Sequence, residues 1–150
     1  MESIEMRSAP LVSAISERGA LSALVVDDEA HVRAYLRVIL NLLGVTKICD
    51  ACDGEEAVRV FQEHRPSVVL LDVNMPLMCG AQALARMLEI DPTAAVIVVT
   101  SHNEVGTIRR FQALGAIGYV LKHARRQEFT DTLAGLLDAL LASEEDDVAD

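Results

Sequence analysis

Polar side chains that could carry out chemistry stand where apolar segments of the sequence end. They are Asp27, Asp28, Asp72, Thr100 and Lys122. Two carboxylates ~4 Å apart repel by ~4 kcal/mol at an effective dielectric constant of ~20, so clustered acids hold a proton or recruit a cation. Carboxylate oxygens suit Mg²⁺, which also binds phosphate oxygens. The set predicts phosphoryl chemistry with Asp72 as the nucleophile, a hydroxyl donor at Thr100 and a cation at Lys122.

These side chains meet only if the apolar segments are strands of one sheet. Short apolar segments alternate with segments of helical periodicity, which predicts an α/β fold of repeated β–α units. The predicted strands cover residues 21–27, 45–51, 68–72, 95–100 and 117–121, and a helix follows each. Right-handed crossovers favour a doubly wound, five-stranded parallel sheet in the flavodoxin-like order 2-1-3-4-5, with helices on both faces. All carboxyl ends then share one edge, where such sheets place their ligands.

One domain with two short flanking segments accounts for the whole sequence. We expect residues 1–20 to form an extension outside the core fold and residues 21–142 to form the domain. Residues 143–150 are acidic and are expected to fray. Asp53 and Glu56 have capping-box spacing, which predicts the start of the second helix.

Composition excludes several classes of protein. The chain is 51% hydrophobic but only 3% aromatic, so its core must be aliphatic. The net charge of -10 argues against nucleic-acid binding and against docking on anionic lipid. The sequence shows no bilayer-spanning apolar run and no signal peptide. The three cysteines are an odd number, which favours free thiols and a cytoplasmic location.

The motifs VVDDE, LLDVNMP, VVTS and GYVLK, together with DACDGEEAV, are specific as a set. In this combination the chain resembles a response-regulator receiver domain of two-component signalling, similar to the single-domain chemotaxis regulator. The resemblance covers about residues 21–141, which is nearly everything but the two ends.

The resemblance implies a role for each matching residue. Asp72 would accept a phosphoryl group from the phosphohistidine of a sensor histidine kinase or a phosphotransfer protein. Asp28 and Asp72 would bind Mg²⁺ directly, Asp27 through water, and Asn74 through its backbone carbonyl. Lys122 would pair with the phosphate.

The resemblance also implies that a second group of residues transmits the signal. Thr100 would hydrogen-bond the phosphate, and Tyr119 would move inward as Thr100 shifts. The change would remodel the face made by the fourth helix, the fifth strand and the fifth helix, which would contact a downstream protein. Four arginines would form either a basic docking patch on that face or merely a set of solvated charges, namely Arg109, Arg110, Arg125 and Arg126. We expect a stand-alone monomer or weak dimer, with no reaction beyond its own phosphorylation and dephosphorylation.

Some positions depart from the family pattern. His123 follows Lys122 where the family usually has proline, so we expect a trans peptide and some displacement of the loop and of Lys122. Cys79 replaces a residue that is usually polar. Cys49 and Cys52 form a CxxC motif, which we attribute to packing; a redox or zinc role is the alternative.

Other functions stay open at this point. A degenerate receiver could act as an unphosphorylated adaptor, and Asp28 could simply cap the following helix. An aspartate-nucleophile phosphohydrolase would need a carboxylate where Asn74 stands. An FMN-binding flavodoxin is disfavoured, because Asp27, Asp28 and Glu29 would repel the phosphate.

Overall fold

Five helices and five strands alternate along the part of the chain that the computed structural model describes, which is residues 17–73, 78–101 and 105–149. The strands are β1 (Ser22–Val26), β2 (Lys47–Ala51), β3 (Val68–Asp72), β4 (Ala95–Thr100) and β5 (Gly118–Leu121). The helices are α1 (Ala30–Leu42), α2 (Gly54–His64), α3 (Gly80–Ile90), α4 (Val105–Ala113) and α5 (Arg126–Ala149). No helix within these described ranges is both long and apolar enough to cross a membrane.

The strands form one parallel sheet in the order β2-β1-β3-β4-β5, which confirms the predicted fold class. Val26 of β1 pairs with Leu71 of β3, so Asp27 and Asp72 come next to each other at the carboxyl edge. Thr100, the last residue of β4, pairs with Leu121, the last residue of β5. Lys122 follows Leu121 directly and therefore lies just beyond the end of both strands. The register therefore brings the ends of β1, β3, β4 and β5 to one site.

Two apolar layers hold the sheet between its helices. Every residue of β3 is buried, as expected for a strand covered on both faces. Leu71 packs in the layer beneath α2, α3 and α4, which also contains Phe61. Leu70 packs in the opposite layer beneath α1 and α5, which contains Phe129. The central strands are therefore fixed from both sides, and the polar residues at their ends are held in place.

The second helix begins as its sequence predicts. Asp53 is the N-cap of α2, and its side chain accepts the backbone N–H of Glu56 at 2.8 Å. Strand β2 begins at Lys47 and is two residues shorter than expected, because Val45 belongs to the turn that leaves α1. This exposed edge strand is the most polar of the five.

The described chain contacts the core two residues before the predicted boundary at residue 20. Arg18 is buried, and its Nε and Nη2 donate to the two carboxylate oxygens of Asp138 in α5, each at 2.9 Å. Its Nη1 donates to the carbonyl oxygen of Leu43 at 3.2 Å. The chain therefore joins the core before residue 21, while residues 1–16 of the expected extension lie outside the described residues.

The backbone of α5 also continues past the expected boundary at residue 142, to Ala149. The backbone of residues 143–149, which were expected to form a separate acidic tail, is therefore helical. Once a helix is nucleated, each added residue gains a hydrogen bond, and glutamate is a good helix former.

Gly80 lets α3 start directly against the end of β3. A Cβ at this position would lie 2.8 Å from the Val73 Cα and 2.9 Å from the Asp72 carbonyl oxygen. Both neighbours are backbone atoms and cannot rotate away. The smallest residue is therefore required where α3 approaches the acidic strand end.

Replacing Gly80 with alanine is expected to lower the free energy of unfolding by ~1–3 kcal/mol, because the new Cβ overlaps backbone. Gly135→Ala is the matched control, since Gly135 lies in α5 with nothing within 4 Å of an added Cβ. The free energy of unfolding of this control should rise by up to ~1 kcal/mol, because alanine has a higher helix propensity than glycine. Urea denaturation of both variants measures the difference, and equal stabilities would contradict this account of the α3 start.

Candidate functional site

Three carboxylates meet at the carboxyl edge of the sheet. Oxygen atoms of Asp27, Asp28 and Asp72 all lie within 4.8 Å of one another. Asp27 and Asp72 are buried, whereas Asp28 is exposed on the rim of the cluster. The convergence expected from the sequence is therefore present for all three acids.

Lys122 extends from the end of β5 into this acidic cluster. Its Nζ lies 2.8 Å from Asp27 Oδ2 and 3.2 Å from Asp72 Oδ1. The Lys122 backbone N–H donates to the Thr100 carbonyl oxygen at 2.8 Å, which ties the end of β5 to the end of β4. A single ammonium thus compensates two buried carboxylates that come from two other strands.

The surroundings keep Lys122 charged. Burial disfavours the ammonium, but the hydrogen bond to Asp27 and the charges of Asp72 and Asp27 outweigh this cost. The pKa of Lys122 is therefore raised above its ordinary value of 10.5. The side chain holds a fixed positive charge throughout the physiological range.

The turn from β1 to α1 is built around Asp27. Its Oδ1 accepts the backbone N–H of Glu29 at 2.9 Å, and its carbonyl oxygen accepts from Arg33 Nη1 at 2.8 Å. Glu29 is the N-cap of α1, so Asp28 does not cap that helix. The contact between Arg33 and the Asp27 carbonyl oxygen was not predicted from the sequence. The only indication of it in the sequence is a basic residue one turn into the first helix.

The donor set at this edge fits a hard divalent cation. It consists of carboxylate oxygens, which Mg²⁺ prefers. Asp27 Oδ2 is buried, and the Lys122 ammonium 2.8 Å away is its ion-pair partner. Three acids against one lysine leave excess negative charge at the site, which favours a further cation.

The remaining predicted residues fall into separate places. Thr100 is buried at the end of β4, close to the Lys122 backbone. Tyr119 is exposed on β5. Asn74 lies outside the described residues, so the prediction for its carbonyl has no structural counterpart. The basic residues Arg109, Arg110, Arg125 and Arg126 are all exposed, on α4 and at the start of α5.

The departures from the family pattern are accommodated. No cis peptide occurs among the described residues, which agrees with the trans bond expected at His123. Lys122 nevertheless reaches both carboxylates. Cys79 is the N-cap of α3, and its backbone N–H donates to Gln82 Oε1 at 3.4 Å. Cys79 therefore stands at the start of α3.

The CxxC motif holds two free thiols. Cys49 packs partly buried against the core, which confirms the packing interpretation for this residue. For Cys52 the interpretation is wrong, because this side chain is exposed and its Sγ donates to Glu56 Oε2 at 3.1 Å. That hydrogen bond, slight burial and the nearby charges of Glu56 and Asp53 raise the pKa of the Cys52 thiol.

Replacing Lys122 with methionine is expected to lower the free energy of unfolding by ~2–4 kcal/mol at neutral pH in metal-free buffer, because it removes the cation from beside two buried carboxylates. The raised pKa sets the pH dependence. The contribution of the Lys122 ammonium to the free energy of unfolding is fully present below the ordinary pKa of lysine, and it is lost as pH rises through the raised pKa. The difference between wild type and variant should therefore stay constant up to about pH 9 and shrink above about pH 10.5.

Lys47→Met is the matched control for this experiment, since Lys47 is exposed on the edge strand β2. It should change stability by no more than ~0.5 kcal/mol. Chemical denaturation across the pH series measures both variants. A Lys122→Met chain as stable as the Lys47→Met chain would show that the ion pairs contribute nothing.

Comparison with known proteins places this geometry in a family. The family model for the response regulator receiver domain matches residues 23–134. Chemotaxis protein CheY of Thermotoga maritima is 32% identical over 99 residues, covering 66% of this chain and 82% of the relative. A protein-glutamate methylesterase/protein-glutamine glutaminase of Haloarcula marismortui is 38% identical over 102 residues, covering 67% of this chain. This chain spans only 27% of the length of that larger relative.

Solved structures agree with the sequence comparison. A chain in the crystal structure of the CheX–CheY–BeF₃–Mg²⁺ complex from Borrelia burgdorferi has a TM-score of 0.73 and 28% identity, covering 77% of this chain and 88% of that one. A two-component response regulator of the LuxR family from Aurantimonas has a TM-score of 0.74 and 27% identity, covering 82% and 86% of the two chains. With its sheet order, its acidic edge and its matching family model, the chain belongs to the response-regulator receiver domain family.

Proposed function

We propose that the chain accepts a phosphoryl group on Asp72 from the phosphohistidine of a sensor histidine kinase or phosphotransfer protein. In this step the P–N bond of the donor breaks as a P–O bond to the Asp72 carboxylate forms, and the imidazole nitrogen keeps the electron pair. The observation that carries the proposal is the Lys122 ammonium held 3.2 Å from Asp72 and 2.8 Å from Asp27. It supplies a fixed cation beside the nucleophile.

The positions of the three acids favour Asp72 as the acceptor. Asp27 is committed to the β1–α1 turn, where it accepts the Glu29 N–H and pairs with Lys122. Asp28 is exposed on the rim. Asp72 ends the central strand β3, between the Asp27 carboxylate and the end of β4. A donor that reaches the sheet edge would meet Asp72 with positive charge already in place.

The same acids are proposed to hold Mg²⁺. Asp27, Asp28 and Asp72 would supply side-chain oxygens, and the family resemblance adds the backbone carbonyl of Asn74. When bound, the ion neutralises charge on the transferring phosphoryl group. Lys122 would bind the phosphoryl oxygens, and the Thr100 hydroxyl would hydrogen-bond them once they arrive.

The output is proposed to be protein contact through the face formed by α4, β5 and α5, which we call the output face. Tyr119 and Leu114 are exposed there, and Arg109 and Arg110 lie nearby on α4. A groove of about 390 Å³ runs between β5 and α5 and is lined by Tyr119 and Leu136, among others. These features suit a downstream protein with apolar and acidic groups. We expect a cytoplasmic protein that catalyses no reaction beyond its own phosphorylation and dephosphorylation.

Incubation with acetyl phosphate and Mg²⁺ should add the mass of one phosphoryl group to the intact protein, as read by mass spectrometry. Asp72→Asn should abolish the addition because it removes the nucleophilic oxygen. Asp131→Asn, at an exposed acid on α5, is the matched control and should be modified like wild type. An unmodified wild type, also unresponsive to beryllium fluoride, would support the phosphorylation-independent adaptor instead.

Tyrosine fluorescence can report movement at the output face, because the chain has two tyrosines and no tryptophan. In a Tyr35→Phe chain, Tyr119 is the sole emitter. Beryllium fluoride with Mg²⁺ should reduce acrylamide quenching of Tyr119 as its ring moves inward. The same addition to the Tyr35→Phe, Asp72→Asn chain should have no effect. Unchanged quenching in the chain that retains Asp72 would rule out this tyrosine as the switch.

A further inference from the structure

Arg33 of α1 links the β1–α1 turn to the edge strand β2. Its Nη1 donates to the Asp27 carbonyl oxygen at 2.8 Å, and its Nε lies 3.4 Å from Asp50 Oδ2. The Arg33 side chain is only 19% exposed, so its contacts are partly shielded from solvent. A guanidinium carries several N–H donors in one rigid plane, and it can therefore hold a carbonyl oxygen and a carboxylate at the same time.

The main chain at Asp27 is held on both sides. Its N–H donates to the Ala51 carbonyl oxygen of β2 at 3.2 Å, and its carbonyl oxygen accepts from Arg33. The Asp27 carboxylate also accepts the Glu29 N–H at 2.9 Å. The peptide unit that joins Asp27 to Asp28 therefore has a fixed orientation, because Arg33 holds its oxygen atom.

The orientation of this peptide unit bears directly on Asp28. A carboxylate oxygen of Asp28 lies within 4.8 Å of oxygens of Asp27 and Asp72, although the Asp28 residue is exposed. Packing holds an exposed side chain only weakly, so its position follows mainly from the backbone that carries it. A rotation of the preceding peptide unit would therefore move the Asp28 carboxylate away from the two buried acids.

We propose that Arg33 is a positioning residue for the divalent-cation site of Asp27, Asp28 and Asp72. It acts through the peptide unit between Asp27 and Asp28, with Asp50 of β2 as its anchor. The inference rests on the proposed function, because it concerns the Mg²⁺ site described there. Groups that orient metal ligands typically change metal affinity by roughly 10–100-fold when they are removed.

Charge and geometry predict opposite effects of removing Arg33. The guanidinium is a positive charge beside an acidic site, so the loss of its charge alone should tighten Mg²⁺ binding. Loss of a positioning contact should instead weaken Mg²⁺ binding, because the Asp28 oxygen is no longer held beside the other ligands. The direction of the change in affinity therefore distinguishes a positioning residue from a nearby cation with no such role.

Arg37 offers a matched control on the same helix. It lies one turn further along α1, pairs with the same Asp50 at 3.6 Å, and donates to the Ile48 carbonyl oxygen at 3.3 Å. Both of these contacts are with β2. Arg37→Met therefore removes the same charge and an ion pair to the same acid, but it leaves the hydrogen bond from Arg33 to Asp27 in place.

Calorimetric titration of Mg²⁺ into the full chain measures the effect. We expect binding about tenfold weaker in Arg33→Met than in wild type, and unchanged or slightly tighter binding in Arg37→Met. Arg33→Lys keeps the charge but lacks the planar guanidinium, so it should also bind Mg²⁺ more weakly than wild type. Urea denaturation in metal-free buffer establishes that each variant is folded at the temperature of the titration.

Hydrogen exchange at the Glu29 amide gives a second readout that needs no metal. This N–H donates to the Asp27 carboxylate, so it should exchange faster in Arg33→Met than in Arg37→Met. If wild type binds Mg²⁺ and the two variants match each other in affinity and in exchange, the inference alone is overturned. A wild type that binds no Mg²⁺ would overturn the proposed metal site and this inference with it.

Discussion

The contact of the Lys122 ammonium with two buried carboxylates is the constraint on which the rest of the site depends. Burying Asp27 and Asp72 is unfavourable unless a cation lies beside them, and the cation comes from a strand two positions away from β3. All three strand ends must therefore be held in register. The aliphatic layers on both faces of the sheet provide that rigidity, and the site remains rich in negative charge. We propose that this balance suits the edge to a divalent ion and to phosphate oxygens at once.

Much of this arrangement follows from the sequence because its causes are local. The run that ends in Asp72 is short, apolar and bounded by turn residues, which favours a buried strand. Alternation with helices predicts parallel strands, and the handedness of the crossovers leaves few strand orders, of which 2-1-3-4-5 is the favoured one. A shared carboxyl edge then brought Asp27, Asp28 and Lys122 toward Asp72 without any knowledge of side-chain geometry. The motif resemblance added the expected roles, which stay predictions, and the family match shows that the chain belongs to the receiver-domain family.

The features that the sequence did not reveal depend on distant contacts. Arg18 pairs with Asp138, 120 residues away, and no local pattern distinguishes this arginine from a solvated one. The outward direction of Cys52 depends on where Glu56 sits at the first turn of α2. The helical backbone to Ala149 reflects propagation from a helix nucleated by core packing, which overrides the acidic composition. In each case tertiary position, which periodicity does not encode, determined the outcome.

Calorimetric titration of Mg²⁺ into three proteins tests the central claim most directly, namely that the acids and the lysine share one electrostatic site. The account predicts weaker Mg²⁺ binding in Asp27→Asn than in wild type, because an oxygen donor and a charge are lost. It predicts tighter binding in Lys122→Met, because the competing cation is removed. Identical Mg²⁺ affinities in all three proteins would contradict the account, since the three carboxylates and Lys122 would then not act on one another.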